Sequence, residues 1–205
     1  MRAEQTIRQS ITADLYAYWN RIRGAHAAPA RADINPGDIP HILADAFMID
    51  LEPASEFPLR LCGARLDALW LKSLKGSAFL DFWRADAQRA VAAALHTVTD
   101  AAAPFAGTAR AQAPGYCDID MELLLLPIRK TASAPARIFG VLTPAYQPAW
   151  FGQVRAEPLE LTALHIMAPE PFRLDLYREA GFQRLTTASS PSSSPRFVVH
   201  QGGKI

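Results

Sequence analysis

The chain has few cysteines, no dense run of basic residues and no long apolar segment. Its two cysteines, Cys62 and Cys117, are far apart and form no Cys-x-x-Cys pair, which favours free thiols in a reducing compartment over a disulfide or a metal site. No apolar stretch approaches the ~20 residues that a membrane span needs, and polar residues interrupt the N-terminal segment where a signal peptide is apolar. We therefore expect a cytoplasmic protein without a membrane span and without a bound metal.

Charge and motif content exclude further function classes. The net charge is only +1, with arginine and lysine scattered along the chain and no long run of them, so nothing indicates the basic face that a nucleic-acid partner requires. The motifs GxSxG, HExxH, GxxxxGK[ST] and GxGxxG are all absent. We expect no enzyme; a cryptic enzyme, whose catalytic groups converge from distant positions, is the least favoured alternative.

The first 25 residues predict an amphipathic helix, over about residues 4–23. Four of its apolar residues have the 4-3-4 spacing of a coiled-coil seam, and they form a candidate interface: Ile11, Leu15, Tyr18 and Ile22. Two heptads are too short for a free coiled coil. The helix is therefore expected either to dock on its own domain or to pair with a partner or with a second copy in a homodimer.

Residues 26–146 predict an α+β domain with a five-stranded antiparallel sheet and helices on one face. The expected strands and helices follow in chain order: strands Ala46–Leu51 and Pro58–Gly63, a short helix at Leu66–Trp70, a longer helix at Asp86–Asp100, and strands Phe105–Ala111, Asp118–Pro127 and Ile138–Thr143. Residues 147–205 are expected to form a C-terminal extension, with a flexible Ser/Pro-rich stretch at 186–195.

Several short motifs occur in a recognisable order, although each alone is unspecific. They are Arg31-x-Asp33-Ile34-x-Pro36, Gly63 with Leu66 and Leu69, Leu74-x-Gly76-x-x-Phe79, Trp83, the run Leu123–Pro127, and Gly202-Gly203-Lys204. In order and spacing the chain resembles a family of stand-alone PAS-like proteins of alphaproteobacteria, over roughly residues 30–145. The order of strands and helices also matches the PAS fold.

The resemblance implies sensing or protein–protein signalling instead of catalysis. PAS pockets lie between the sheet and the helices on its face, and they bind haem, flavin, small acids or nothing. The candidate pocket residues are Trp70, Phe79, Phe82, Trp83, His96 and Phe105. Ordinary core packing is the competing interpretation of the aromatic ones.

No cofactor is predicted, and the sequence favours neither haem nor flavin. His96 lies on the helix that carries the iron ligand in haem-binding relatives, but it falls about 140° from Val91 on the helical wheel, away from the apolar stripe. Neither cysteine lies in the motif of a flavin adduct. Asp118, Asp120 and Glu122 alternate along one strand, and we interpret them as a solvated face and not as a calcium site.

Two functions therefore compete, and they differ in the expected interior. A small-molecule sensor that acts on a signalling partner predicts a cavity of ligand size under Phe79 and Trp83. A ligandless adaptor predicts a filled core and an exposed apolar surface for a protein partner.

Overall fold

Six strands form one antiparallel sheet in the computed structural model, which describes residues 7–51, 57–132 and 135–167. The strands are β1 Ala46–Asp50, β2 Leu59–Cys62, β3 Phe105–Ala111, β4 Ile119–Ile128, β5 Arg137–Pro144 and β6 Glu160–Ile166. Their order across the sheet is β2-β1-β5-β4-β3-β6. The predicted α+β class is confirmed, and the sheet has one strand more than expected, because β6 pairs with β3. The Ser/Pro-rich stretch and the closing Gly-Gly-Lys lie outside the described residues.

Three helices accompany the sheet: α1 Ser10–Arg23, α2 Ala64–Trp70 and α3 Ala85–Asp100. α1 is followed by Gly24, whose φ of 54° and ψ of −124° form a backbone conformation that glycine adopts readily. Single 3-10 turns at Arg31–Asp33 and Pro36–Asp38 lead into β1, and a third at Phe79–Phe82 precedes α3. No helix in the described part of the chain is long and apolar enough to cross a bilayer.

The sheet is covered on both faces, as the alternation along β4 shows. Ile119, Met121 and Leu123 point into a core shared with α2 and α3, because successive strand residues face opposite sides. Glu122 and its even-numbered neighbours point to the other face, where α1 packs against β4 and β5. The apolar run Leu124–Leu126 is buried throughout because helices cover both faces of the sheet, α1 on one side and α2 and α3 on the other.

The N-terminal helix docks on its own sheet, which is one of the two alternatives open from the sequence. Leu15 and Tyr18 are buried against the domain, whereas Ile11 and Ile22 are half-buried. The indole Nε1 of Trp19 donates to the carbonyl of Pro127 at 2.9 Å. Two residues of the candidate interface are thus occupied by packing within the chain.

A carboxylate from the sheet caps the beginning of α1. The two oxygens of Glu122 accept the backbone N–H groups of Arg8, at 2.7 Å, and Gln9, at 3.1 Å. These amides belong to the N-cap residue Gln9 and to the residue before it, immediately ahead of the first helical residue Ser10, and a negative charge at this end also interacts favourably with the helix dipole. The helix is therefore attached to the sheet at its N-terminus by Glu122 and near its C-terminus by Trp19.

Replacing Glu122 by alanine is expected to lower the free energy of unfolding by about 1–2 kcal/mol, the usual cost of a lost helix cap. Asp120→Ala is the matched control, since Asp120 lies two residues away on the same strand and is exposed. Urea unfolding measures the free energy of unfolding of both variants. Equal losses in the two variants would show that the cap does not hold the helix.

Candidate functional site

The space between the sheet and the helices α2 and α3 is almost entirely filled. A void of about 10 Å³ remains, which is about the volume needed for one water molecule. Its wall is apolar and contains five aromatic side chains, and the residues that line it include Phe47, Trp70, Phe79, Phe82, Trp83 and Leu159. This is the position at which the sequence placed a candidate pocket.

The aromatic rings fill the space by packing on one another. Phe79 stacks on Phe47 with ring centroids 5.1 Å apart and meets Trp83 at 5.9 Å. Trp70 packs on Phe82 at 4.7 Å. These separations are those of favourable aromatic pairs, so the rings contribute to stability as core residues do.

Glycine at position 140 makes room for one of these rings. Phe47 and Gly140 are directly opposite on β1 and β5, and a Cβ at Gly140 would lie 2.5 Å from the Phe47 ring. The ring therefore lies over the backbone of β5 and occupies space that a cavity would otherwise take. Phe47 was not among the residues predicted from the sequence.

Trp83 brings one polar group without a partner into this wall. The residue is 1% exposed, and its indole Nε1 donates to no acceptor among the described residues. A buried N–H without an acceptor costs about 1–3 kcal/mol. The group would consequently gain from any acceptor that reached it.

The predicted pocket residues fall into three groups in the structure. Trp70, Phe79, Phe82 and Trp83 all line the void. Phe105 is buried in the same core but does not belong to the wall. His96 is exposed on α3 and packs edge-on against Phe57, with ring centroids 5.2 Å apart, so it lies outside the void.

Cys62 lies in the same wall and is a protected thiol. Burial, together with the nearby carboxylate of Asp67, raises its pKa from 9.0 to about 12. Cys117 is exposed in the connection between β3 and β4. Both cysteines are free, as the sequence predicted.

The two thiols are expected to react with iodoacetamide at very different rates in the native protein. A pKa shift from 9.0 to about 12 leaves about a thousandfold less thiolate at pH 8, and only the thiolate is nucleophilic. Peptide mass spectrometry should find Cys117 alkylated first and Cys62 alkylated only after denaturation. Similar native rates at both positions would contradict the packed interior.

A buried ion pair fastens α2 to the beginning of β1. Asp45 is fully buried, and its carboxylate pairs with the guanidinium of Arg65 on α2. Burial raises the pKa of Asp45, and the hydrogen bond and charge of Arg65 oppose that increase. Arg65 also donates its backbone N–H to the carbonyl of Ala44 at 2.9 Å. The helix that covers the aromatic wall is thus fixed at its first turn.

The carboxylate row on β4 only partly matches the expectation of a solvated face. Asp120 is exposed, and both it and Asp118 lie within 4 Å of Arg110, as expected. For Glu122 the expectation was wrong, because α1 covers that end of the strand and Glu122 is buried. Within residues 7–51, 57–132 and 135–167, no group of three or more histidines, cysteines and acidic residues is placed to hold a metal ion.

A larger recess lies on the opposite face of the sheet, beside the N-terminus of α1. It measures about 430 Å³ and is lined mainly by polar residues of β3, β4 and β6. Several of these are already engaged: Glu122 caps α1, Arg110 lies beside Asp118 and Asp120, and the hydroxyls of Thr108 and Thr162 are 2.7 Å apart. The recess is therefore a polar surface feature in which several of the lining groups already have partners within the protein.

Comparison with protein families supports the fold, but it provides no characterised relative whose function could be transferred to this chain. A family model described as a PAS domain matches residues 7–143, about two thirds of the chain. Searches of the curated proteins and of the solved structures found no match. The matched range contains α1, β1 to β4 and all of β5 except its last residue, and it ends before the segment that leads to β6.

Proposed function

Because the chain belongs to the PAS domain family, we propose that it is a non-catalytic signalling protein that acts through contact with a partner protein. PAS domains are generally sensory domains without catalysis. The observation that carries the proposal is the filled interior. Ligand sites of small molecules usually measure about 300–1,000 Å³, whereas the void under Trp83 measures about 10 Å³.

An exposed aromatic surface supports the proposal from the outside of the molecule. Tyr116 and Tyr146 are 51% and 55% exposed, and tyrosine is enriched where proteins bind one another. Both lie at the same end of the sheet, because Met121 near the beginning of β4 pairs with Pro144 at the end of β5. We call this the tyrosine end and propose it as part of the contact surface.

Photo-crosslinking in the source cells tests this proposal. The photoreactive amino acid p-benzoylphenylalanine replaces Tyr116 or Tyr146. Lys75 is the control position, because it is exposed and its neighbour Gly76 bonds to Leu59 at the beginning of β2. We expect one protein adduct of the same mass from both tyrosine positions and none from Lys75. Absence of an adduct at both tyrosines, in cells that express the partner under signalling conditions, would refute the tyrosine end as the contact surface.

The unpaired indole of Trp83 favours small-molecule sensing as the second candidate function. A ligand in this wall would be largely apolar and would carry one hydrogen-bond acceptor for the Trp83 N–H. It would also have to displace side chains, because the void holds about one water molecule. The two functions therefore differ in whether the protein retains a small molecule after purification.

A further inference from the structure

Residues 148–159, which form most of the connection from β5 to β6, make a strap across the helical side of the core. The backbone N–H of Ala156 donates to the carbonyl of Leu69 at 2.9 Å, and that of Leu159 donates to the carbonyl of Phe82 at 2.8 Å. Leu159 is fully buried and lines the void beside Trp83. The strap thus bridges the end of α2 and the segment before α3, and it closes the interior between them.

The closed strap leaves two buried hydrogen-bond donors unpaired. Trp150 on the strap is 3% exposed and Trp83 beneath it is 1% exposed. The Nε1 groups of both lack an acceptor within the described part of the chain. Each unpaired donor raises the free energy of the closed form, because water would satisfy the same group if the strap moved away.

The strap is also held by burial and by further backbone bonds: Trp150, Phe151 and Leu159 belong to the core, and Glu157 donates its N–H to the carbonyl of Gln112 at 2.8 Å. Two features lower the cost of opening. Gly152 has a φ of 77°, a conformation that glycine adopts without strain, and it provides a turn point within the strap. The side-chain pair of Arg84 and Glu160 spans 3.4 Å with both partners more than a third exposed, and such pairs contribute little. The strap also lies beyond the range that matches the PAS family.

We propose that the strap is a lid that opens locally while β1 to β5 remain folded, and that opening uncovers Trp83 and the aromatic wall. Segments that open below the global unfolding free energy are common in signalling proteins and are detected by hydrogen exchange. The proposal goes beyond the proposed function and does not depend on it. A lid would serve the entry of a ligand, and its opening would also change the surface that a partner meets.

Native-state hydrogen exchange tests the lid in the full-length protein. We expect the amides of Ala156 and Leu159 to exchange at least about a hundredfold faster than those of Leu124 and Leu125 in the centre of β4. Their rates should also stay constant at low urea, as local opening requires. Equal rates at all four amides, rising together with urea, would show that the strap opens only with the whole domain and would overturn the proposal.

A reversible disulfide provides the matched control. A Cβ built at Gly152 lies 3.7 Å from the Cβ of Ala68 on α2, which is a normal separation for a disulfide. Because cysteine is strained at the φ of 77° that Gly152 adopts, the oxidised variant is compared only with the same variant in its reduced form. Ala68→Cys with Gly152→Cys is made in a Cys117→Ser background, and oxidation is verified by mass. We expect the oxidised protein to exchange Ala156 and Leu159 at least about tenfold more slowly than the reduced protein. Unchanged rates after verified oxidation would contradict the lid.

Discussion

Replacing Arg65 by methionine is expected to lower the free energy of unfolding by about 3 kcal/mol, as measured by urea unfolding at pH 7. The fully buried carboxylate of Asp45 would lose its counter-ion, and an unpaired buried charge usually costs about 3–5 kcal/mol. We expect the lower end of that range because Arg65 itself is 30% exposed. Asp45→Asn combined with Arg65→Met should recover most of the loss, since the charge is then absent.

The pH dependence of the Arg65→Met variant follows from the sign of the Asp45 shift. Burial raises the pKa of Asp45 above 3.8 in the folded protein, so the folded state binds this proton more tightly than the unfolded state. The contribution of Asp45 to the free energy of unfolding is therefore fully present below pH 3.8, and it is lost as the pH rises through the pKa of Asp45 in the folded protein. The deficit of the variant relative to the wild type should shrink on acidification. A deficit that is independent of pH, or that persists in the Asp45→Asn background, would show that the pair is not its cause.

Replacing Trp83 by alanine is expected to cost about 3–5 kcal/mol of stability, the usual range for a large buried aromatic residue. The substitution also opens a dry cavity beside the existing void, and such cavities bind small aromatic molecules. Indole should therefore raise the melting temperature of the variant, while the wild type should show no shift because its wall is filled by its own rings.

Trp83→Phe is the control for the indole experiment, because it retains a six-membered aromatic ring and removes the smaller ring that carries the unpaired N–H. We expect it to be much more stable than Trp83→Ala and to respond weakly to indole. A wild-type protein that gains as much from indole as Trp83→Ala does would show that the interior opens to ligands already, and it would favour the sensor function.

The order of the strands and helices was predictable because local signals determine it. Breaks at Gly24, Gly63 and Gly76 and the alternation along β4 fix the boundaries to within a few residues. The aromatic wall was partly predictable for the same reason, since Phe79, Phe82 and Trp83 are close in sequence. His96 was placed away from the apolar stripe by helical geometry alone, and it is exposed.

The remaining features depend on contacts between distant residues. β6 was missed because its pairing with β3 follows a proline-containing connection, and no short-range pattern indicates such a partner. Phe47 and Leu159 join the aromatic wall from elements that only the fold brings together. The alternation along β4 predicts that Glu122 faces solvent, because the sequence does not show that α1 covers this position. Whether the wall encloses a cavity depends on how the side chains pack, and the hydrophobic periodicity of the sequence does not predict that packing.

Native mass spectrometry of the freshly purified protein, together with its absorption spectrum, tests the central claim most directly. A packed interior predicts the mass of the polypeptide alone in every oligomeric state observed, with no absorption beyond that of the aromatic residues. A reproducible additional mass that denaturation releases would contradict the claim. It would show that the aromatic wall opens around a small molecule and that the protein is a ligand-binding sensor.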